Sequence, residues 1–163
     1  MSRAAAVCCF KTSEVEGEVL FVQQKEGVLI KSEFQKLPPG KHGYHIHKTG
    51  DLRGDGCKLA CDHWHKGLPT DHGGAPHTKG PRHTGDLGNI DGHKKTHSHF
   101  LRGVRIEELW GRSLIVHEDE DDLGKGSHED SKTTGHSGKR MACAVIGRTQ
   151  ESCQQKTRKN RHK

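Results

Sequence analysis

Short runs of alternating apolar and polar residues characterise the first part of the chain. Residues 19–24 form one such run and residues 28–34 form the next. Residues i and i+2 of a strand lie on the same face, so this alternation predicts strands with one buried face. Residues 25–27 have the length and the glycine of a hairpin turn, and they should join the two strands directly.

Three later segments also have the pattern of strands. Residues 41–47 alternate again after a Leu-Pro-Pro-Gly turn, and two apolar runs occupy residues 113–117 and 141–146. No window shows a sustained period of 3.6 residues, which argues against long helices. Many short strands separated by glycine- and proline-rich turns predict an antiparallel sandwich or barrel.

Two long segments lack this pattern. Residues 48–84 and 118–139 are rich in glycine, histidine and charge and poor in apolar residues. Loops of this length inside a compact domain need a function or a crosslink to order them. Cys57 and Cys143 are the cysteines best placed for such a crosslink, one in the first loop and one on the last strand. Since disulfides are uncommon in the cytosol, two free thiols are the alternative.

Composition bounds the size and the class of the protein. The chain has 163 residues, 29% of them hydrophobic, which suits one domain with a modest core, predicted to occupy residues 1–150. No apolar run approaches the roughly 20 residues of a membrane span, so we expect no membrane partner. The first ten residues lack the pattern of a signal peptide, which predicts a cytoplasmic location.

The last 13 residues differ from the rest in charge. Residues 151–163 hold five Lys or Arg against one Glu, out of a net charge of +6 for the whole chain. We expect a basic, disordered tail that no apolar side chain except Cys153 could anchor. A solvated end is the favoured interpretation, and a nucleic-acid contact is the alternative.

The most unusual figure is the number of histidines, 15 in all. Histidine is the commonest metal-binding side chain, so a metal site is the first hypothesis. His45 and His47 would point to one face of a predicted strand, where both rings could meet one ion. His117 ends an apolar run and becomes a ligand candidate only if the fold brings it beside them.

A second set of candidate ligands lies in and just after the first long loop. Three nitrogens and one carboxylate oxygen would suit a closed tetrahedral zinc site. Any one of these residues alone could be a solvated loop residue. The set consists of His63, His72, His83 and Asp86.

Six motifs, in order along residues 4–150, resemble the copper/zinc superoxide dismutase family. They are GYHIH at 43–47, HGG at 72–74, HTGDLGN at 83–89, VHE at 116–118, DDLGKG at 121–126 and RMACAVIG at 140–147. The resemblance implies a Greek-key, immunoglobulin-like β-sandwich or flattened barrel of about eight antiparallel strands with two long functional loops.

The resemblance also implies the residues of the active site. The copper ligands would be His45, His47, His63 and His117. The zinc ligands would be His63, His72, His83 and Asp86. The catalytic residues would be His63, which bridges both metals, and Arg140, which positions the anionic substrate.

Further roles follow from the same resemblance. Asp121 would link ligands of the two metals, and Cys57 and Cys143 would form the disulfide within the subunit. The implied activity is disproportionation of superoxide to dioxygen and hydrogen peroxide, in antioxidant defence. The cofactors would be copper and zinc, and the partners would be a second copy of the chain and a copper-delivering chaperone.

The sequence departs from the family pattern at three places. The family usually has Thr-Lys-Thr-Gly in the charged loop, whereas this chain has Ser-Lys-Thr-Thr-Gly at 131–135. Lys132 is therefore shifted by one residue, and Thr134 takes the place of the lysine that steers the substrate. Thr49 and Arg148 replace residues that are commonly apolar at the subunit contact, where Trp110 could compensate.

The third departure is a pair of histidines that match no ligand of the family. His97 and His99 repeat the His-x-His spacing. The favoured interpretation is a solvated strand face, and a surface metal site is the alternative.

Three other functions compete with the enzyme. A zinc finger would use Cys57, Cys61, His72 and His77, but glycines and a proline occupy the segment that should be helical. An EF-hand at residues 119–130 lacks the necessary ligands and flanking helices. A copper- or zinc-binding buffer protein of the same fold, without turnover, stays the main alternative, because complete ligands do not guarantee catalysis.

Overall fold

The structure is a computed structural model that describes residues 4–151. The predicted tail therefore lies outside the described residues, apart from its first position, as does Cys153. No helix within the described part of the chain has the length and hydropathy of a membrane span.

Within residues 4–151, nine strands form two antiparallel sheets, which agrees with the predicted antiparallel sandwich. The first sheet contains β1 (Ala4–Lys11), β2 (Glu16–Gln24), β3 (Gly27–Lys36), β6 (Thr96–Arg102) and β9 (Gly147–Arg148). The second contains β4 (Lys41–His47), β5 (Asp86–Asp91), β7 (Ser113–His117) and β8 (Arg140–Val145). Two single-turn 3-10 helices occupy Lys58–Ala60 and Ile106–Glu108.

The order of the strands within the sheets is that of a Greek-key sandwich. The first sheet runs β6-β3-β2-β1-β9 and the second runs β5-β4-β7-β8. The chain passes between the sheets four times, so β4 pairs with β7, which is distant in sequence. The Greek-key prediction is confirmed, with β9 as a two-residue strand beyond the expected eight.

The hairpin between β2 and β3 shows how local sequence sets the register. Gln24 pairs with Gly27 across a two-residue turn, so Gly27, predicted to lie in the turn, is instead the first residue of β3. A Cβ atom at Gly27 would collide with the carbonyl oxygen of Leu101 on β6. Glycine therefore permits the close approach of β3 and β6 at this end of the sheet.

The core fills the space between the two sheets. Alternate side chains of each strand point into it and exclude water almost completely. Its largest fully buried members are Phe10, Phe21, Ile30, Tyr44, Ile46, Leu87, Ile90, Leu101, Leu109, Leu114 and Ile146.

Strand β4 departs from the predicted pattern of one buried face. Residues 42–47 are all buried, because the two long loops cover the face that would otherwise be solvated. Tyr44 and Ile46 face the core, and His45 and His47 face the loops. The polar face of β4 is therefore an interior surface, which is where the histidines meet.

Candidate metal centre

Four buried histidines converge where β4, β7 and the first long loop meet. One nitrogen from each ring lies within 4.8 Å of the others. The four are His45, His47, His63 and His117. The structure thus brings together the set that the resemblance assigns to copper.

The backbone explains how residues distant in sequence reach this point. β4 pairs with β7, which places His117 at the strand end next to the loop-facing side of β4. The first loop lies against the other edge of β4, where His47 and His63 form an isolated bridge. Trp64 N–H donates to the Ile46 carbonyl at 2.7 Å, which fixes His63 against the strand.

Each ring in this set has one nitrogen engaged and one without a partner. His45 Nε2 is 2.6 Å from Asp121 Oδ2, His47 Nδ1 is 2.8 Å from the Cys61 carbonyl, and His117 Nδ1 is 3.2 Å from the Gly138 carbonyl. The unpartnered atoms are His45 Nδ1, His47 Nε2, His63 Nε2 and His117 Nε2.

These unpartnered nitrogens fit a bound metal ion. A buried polar atom left without a partner costs about 1–3 kcal/mol, so four at one point need an explanation. Four imidazole nitrogens are a donor set that copper accepts readily. The partner on the opposite nitrogen fixes the tautomer and the ring orientation, as it does for most metal-bound histidines.

Burial keeps these rings in the form that binds metals. It lowers the pKa of His45 and His47 well below the usual value, and it lowers the pKa of His117 to about 3. Neighbouring histidines add to the effect, since two adjacent imidazolium charges repel each other. At neutral pH these rings are uncharged and their lone pairs are available.

The second set of ligands converges on the carboxylate of Asp86. Asp86 Oδ1 is 2.8 Å from His63 Nδ1, 3.0 Å from His72 Nδ1 and 3.3 Å from His83 Nδ1. The backbone N–H groups of Gly73 and His83 donate to Oδ2 and hold the carboxylate in place. Three nitrogens and one oxygen at this separation match a tetrahedral zinc site.

Electrostatics keeps this carboxylate ionised. Burial alone would raise the pKa of Asp86, but hydrogen bonds from His63, His72 and His83 hold it far below its usual range. An ionised carboxylate among histidines is the arrangement that a divalent cation requires.

Asp121 connects the two sets. Its carboxylate oxygens lie 2.6 Å from His45 Nε2 and 2.8 Å from His72 Nε2. Asn89 holds it from behind, accepting the Asp121 N–H at 2.7 Å and donating to its carbonyl at 2.9 Å. The structure thus places Asp121 where the resemblance predicts, while sequence reasoning gave no sign of Asn89.

The hydrogen bonds of Asp121 also act on His72. Burial of His72 opposes its protonation, but the bonds to Asp121 and Asp86 outweigh it and raise the pKa of His72 to about 9. Gly135, at a φ of 72°, allows this packing, since a Cβ there would collide with the Asp121 carboxylate.

An open cleft of about 900 Å³ reaches the first set of histidines from solvent. His47, His63 and His117 lie at its floor. Four cationic side chains and three carboxylates line its walls, which gives a slight excess of positive charge. They are Lys48, Lys132, Lys139, Arg140, Asp62, Asp71 and Asp130.

Arg140 is held at the wall of this cleft by two carbonyl groups. Its Nη1 donates to the Cys57 carbonyl at 2.7 Å and its Nη2 donates to the Cys61 carbonyl at 2.6 Å. Lys132 and Thr134 also line the cleft, as expected for residues that steer an anion. The Thr134 hydroxyl is engaged, however, since it donates to the Asp130 carbonyl at 3.3 Å.

The Cys57–Cys143 disulfide ties the first long loop to β8. It holds Cys57 near Arg140, so the crosslink supports the orientation of the guanidinium as well as the loop. Cys61 is a free, exposed thiol. The disulfide also argues against a zinc finger, because it takes Cys57 out of the proposed thiolate set, and residues 62–71, where a finger needs its helix, contain no helix in the described structure.

His42 is a supporting residue that sequence reasoning missed. Its ring lies between the carbonyl oxygens of His117, 3.0 Å from Nδ1, and Pro38, 2.9 Å from Nε2. His42 therefore fixes the end of β7 at His117, directly before the charged loop. Nothing in its sequence context separates it from a ligand or a surface histidine.

The prediction of a solvated face at His97 and His99 is wrong. Both rings are partly buried between the sheets, where His97 packs at 6.1 Å from the Phe34 ring and His99 at 5.7 Å from the Tyr44 ring. His97 Nε2 accepts the backbone N–H of Asp91 at 2.9 Å. These residues line an open cleft between β5 and β6, the edge strands of the two sheets.

This burial predicts a pH dependence of stability. Burial and the nearby rings of His97 and His77 lower the pKa of His99 to about 4. Because this value lies below that of the unfolded chain, the contribution is present above about pH 6.5 and is lost as the pH falls to 4. We expect a loss of up to about 3 kcal/mol in the free energy of unfolding from this residue.

Urea unfolding of the metal-free protein between pH 7 and pH 4 measures this loss. His99→Phe should flatten the profile relative to the unmodified chain, while His93→Gln, at an exposed position, should leave it unchanged. If the free energy of unfolding of His99→Phe changed with pH as that of the unmodified chain does, the loss of stability could not be assigned to His99.

The fold is a Greek-key sandwich, and its two adjacent ligand sets share His63. These features define a class of β proteins with a dinuclear metal centre. The model of the copper/zinc superoxide dismutase family matches residues 15–146. The chain belongs to that family.

Relatives within the family differ in their named roles. The chain is 42% identical over 145 residues to the Cu-Zn superoxide dismutase of Paramecium bursaria Chlorella virus 1, covering 85% of this chain and 75% of the relative. It is 39% identical over 150 residues to superoxide dismutase 5 of Dictyostelium discoideum, covering 87% and 96%.

It is also 42% identical over 150 residues to the copper chaperone for superoxide dismutase of Rattus norvegicus, covering 89% of this chain but 53% of the chaperone. The chain thus spans about half the length of that relative. A crystal structure of the clock protein EA4 superposes with a TM-score of 0.74 at 34% identity, covering 90% of this chain and 96% of the other.

Proposed function

We propose that this protein disproportionates superoxide to dioxygen and hydrogen peroxide, using copper in the first ligand set and zinc in the second. The observation that carries the proposal is the geometry of the first set. Four buried, uncharged imidazoles present unpartnered nitrogens to one point, at the floor of a cleft that Arg140 borders. Substrate therefore has access to the ion that these residues would hold.

Bound copper would supply a one-electron couple that is reduced by one superoxide and reoxidised by the next, and bound zinc would fix the charge and orientation of His63. Two superoxide anions and two protons yield one dioxygen and one hydrogen peroxide. His63 Nε2 faces the first set and Nδ1 faces the second, so this ring can hold a proton at Nε2 without leaving Asp86.

Arg140 and Lys132 would act on the anion before it reacts. A guanidinium is always charged and presents its donors in a fixed fork, and the two loop carbonyls keep that fork at the cleft wall. Lys132 adds positive charge at the rim, which raises the encounter rate at low ionic strength. Thr134 contributes no charge, and its hydroxyl is already bonded within the loop.

The alternative is a metal-binding protein of this fold without turnover. Similarity to copper chaperones supports it, since proteins of this sequence type include some named for copper delivery rather than dismutation. Arg140 favours the enzyme, because binding of a metal cation needs no cationic side chain at the cleft, whereas an anionic substrate does.

Metal analysis coupled to a superoxide-decay assay distinguishes the two functions. We expect one copper and one zinc per chain, catalysed decay well above that of free copper, and a rate that falls as ionic strength rises. His117→Ala should lose copper and activity together. A folded, copper-loaded protein with no decay above that of free copper would overturn the enzymatic proposal and favour the alternative.

A homodimer and a copper-delivering chaperone stay predictions for the partners. At the proposed subunit contact the Arg148 guanidinium lies 4.1 Å from the centre of the Trp110 ring. Thr49 donates to the Leu59 carbonyl at 2.7 Å. The polar groups of Arg148 and Thr49 thus have partners within the subunit. They therefore do not prevent an apolar contact between two copies of the chain. The cytoplasmic location also stays a prediction.

A further inference from the structure

His83 is the least constrained member of the second ligand set. Its side chain is 16% exposed, whereas those of His72 and Asp86 are fully buried. His83 Nδ1 lies 3.3 Å from Asp86 Oδ1, the longest of the three contacts that this oxygen makes with the histidines of the set. Burial and the contact with Asp86 therefore hold this ring less firmly than they hold the other two.

The ring of His65 lies beside His83 at the wall of the open cleft. The centres of the two rings are 5.7 Å apart and their planes meet at 71°, which is an edge-to-face contact. His65 is half-buried and belongs to neither ligand set. Its ring thus limits how far the His83 ring can turn.

His65 also holds the backbone that follows His83. Thr84 N–H donates to His65 Nδ1 at 3.1 Å, and the Thr84 hydroxyl lies 3.3 Å from the same nitrogen. Because Nδ1 accepts the backbone N–H, the ring proton of a neutral His65 is on Nε2. The donating N–H belongs to the peptide bond between His83 and Thr84, so this hydrogen bond fixes the main chain directly at the ligand.

Two further hydrogen bonds join the same segment to residues 64–66. Gly85 N–H donates to the Trp64 carbonyl at 2.8 Å, and Lys66 N–H donates to Thr84 Oγ1 at 3.2 Å. Both use backbone groups of residues 64–66, so a change of side chain at position 65 leaves their donors and acceptors in place. Of these three hydrogen bonds, only that of Thr84 N–H depends on the imidazole of His65.

We propose that His65 is a positioning residue for His83, the least buried ligand of the zinc set. It accepts the Thr84 N–H and packs against the His83 ring, and both contacts direct that ring at the ion site before zinc binds. The inference rests on the proposed function, because zinc in the second set is part of that function. Loss of a partner that orients a metal ligand typically weakens metal binding by roughly 10- to 100-fold.

Three substitutions of His65 separate its acceptor from its bulk. His65→Leu removes the acceptor and keeps an apolar side chain beside His83. His65→Asn places Oδ1 close to the position of Nδ1 and keeps the acceptor. His65→Gln carries the same amide one bond further from the backbone, where it no longer matches Nδ1. His77→Gln, at an exposed position of the same loop outside both sets, is the control.

The test measures Zn²⁺ affinity on protein that holds copper in the first set. Co²⁺ bound in the second set reports the geometry of the ligands through its visible spectrum. His65→Leu and His65→Gln should weaken Zn²⁺ binding by about 10-fold or more and should change the Co²⁺ spectrum. His65→Asn and His77→Gln should match the unmodified chain in both measurements. Copper content, measured on the same samples, reports that the first set and the fold are intact.

Two results would overturn the proposal. One is a His65→Gln protein with the Zn²⁺ affinity and Co²⁺ spectrum of the unmodified chain, and the other is an equal loss in His65→Asn and His65→Gln. This pair of amides keeps the test decisive if His65→Leu does not fold. Failure of the proposed zinc site is observed separately, as the absence of Zn²⁺ binding to the second set of the unmodified chain, and it would overturn both proposals.

Discussion

Replacing His63 with alanine is expected to abolish superoxide decay above that of free copper and to impair binding of both metals. Within residues 4–151, His63 is the one residue whose two ring nitrogens face different ligand sets. Its Nδ1 is 2.8 Å from Asp86, and its Nε2 is unpartnered among the other three histidines. We expect the rate constant to fall by more than about 100-fold, beyond the roughly 10- to 100-fold loss typical of removing an outer partner.

Metal content and superoxide decay should be measured on the same samples of the His63→Ala protein. His77→Gln is the matched control, because His77 belongs to the same loop, is exposed and lies outside both sets. Retention of one copper, one zinc and full activity in His63→Ala would show that the ligand assignment is wrong. Retention of copper and zinc with loss of activity would restrict His63 to a role in the reaction.

Removal of the disulfide by Cys57→Ser is expected to lower the free energy of unfolding by about 4–5 kcal/mol. The crosslink joins residues 86 positions apart, so it limits the conformational freedom of a very long segment in the unfolded chain. Activity should fall as well, because the Cys57 carbonyl no longer holds Arg140 in a fixed position.

Urea unfolding under non-reducing conditions measures this effect on the metal-loaded protein. Cys9→Ser removes an exposed thiol without a disulfide and should change the midpoint little. A loss below about 1 kcal/mol in Cys57→Ser would indicate that the bound metals, rather than the crosslink, order the first loop.

Strands that alternate cleanly were predictable from the sequence. Residues 19–24 and 28–34 lie within β2 and β3, and the turn between them is one residue shorter than expected. β1, β5, β6 and β9 were not assigned. Alanine and cysteine in β1 and histidine in β6 conceal the apolar face, and β9 has only two residues. Position 99 shows the reason, since an imidazole packed on Tyr44 occupies a place where sequence alone suggests contact with water.

The metal ligands were accessible from sequence because their chemistry is distinctive and their motifs are ordered. Of their supports, only Asp121 was named from the sequence. Asn89 acts through its side-chain amide, and Cys61 and Gly138 act through carbonyl groups that any residue possesses. Contacts of this kind depend on the path of the loops in three dimensions, so the identity of the side chain gives no signal.

His63 and Asp121 belong to both halves of the metal centre, and this sharing has a thermodynamic consequence. An ion bound in either set orients these two side chains, so the other ion finds part of its site already ordered and loses less conformational entropy on binding. Coupling of this kind is reciprocal, so each metal must raise the affinity for the other by the same factor. The two metal ions should therefore bind and dissociate cooperatively.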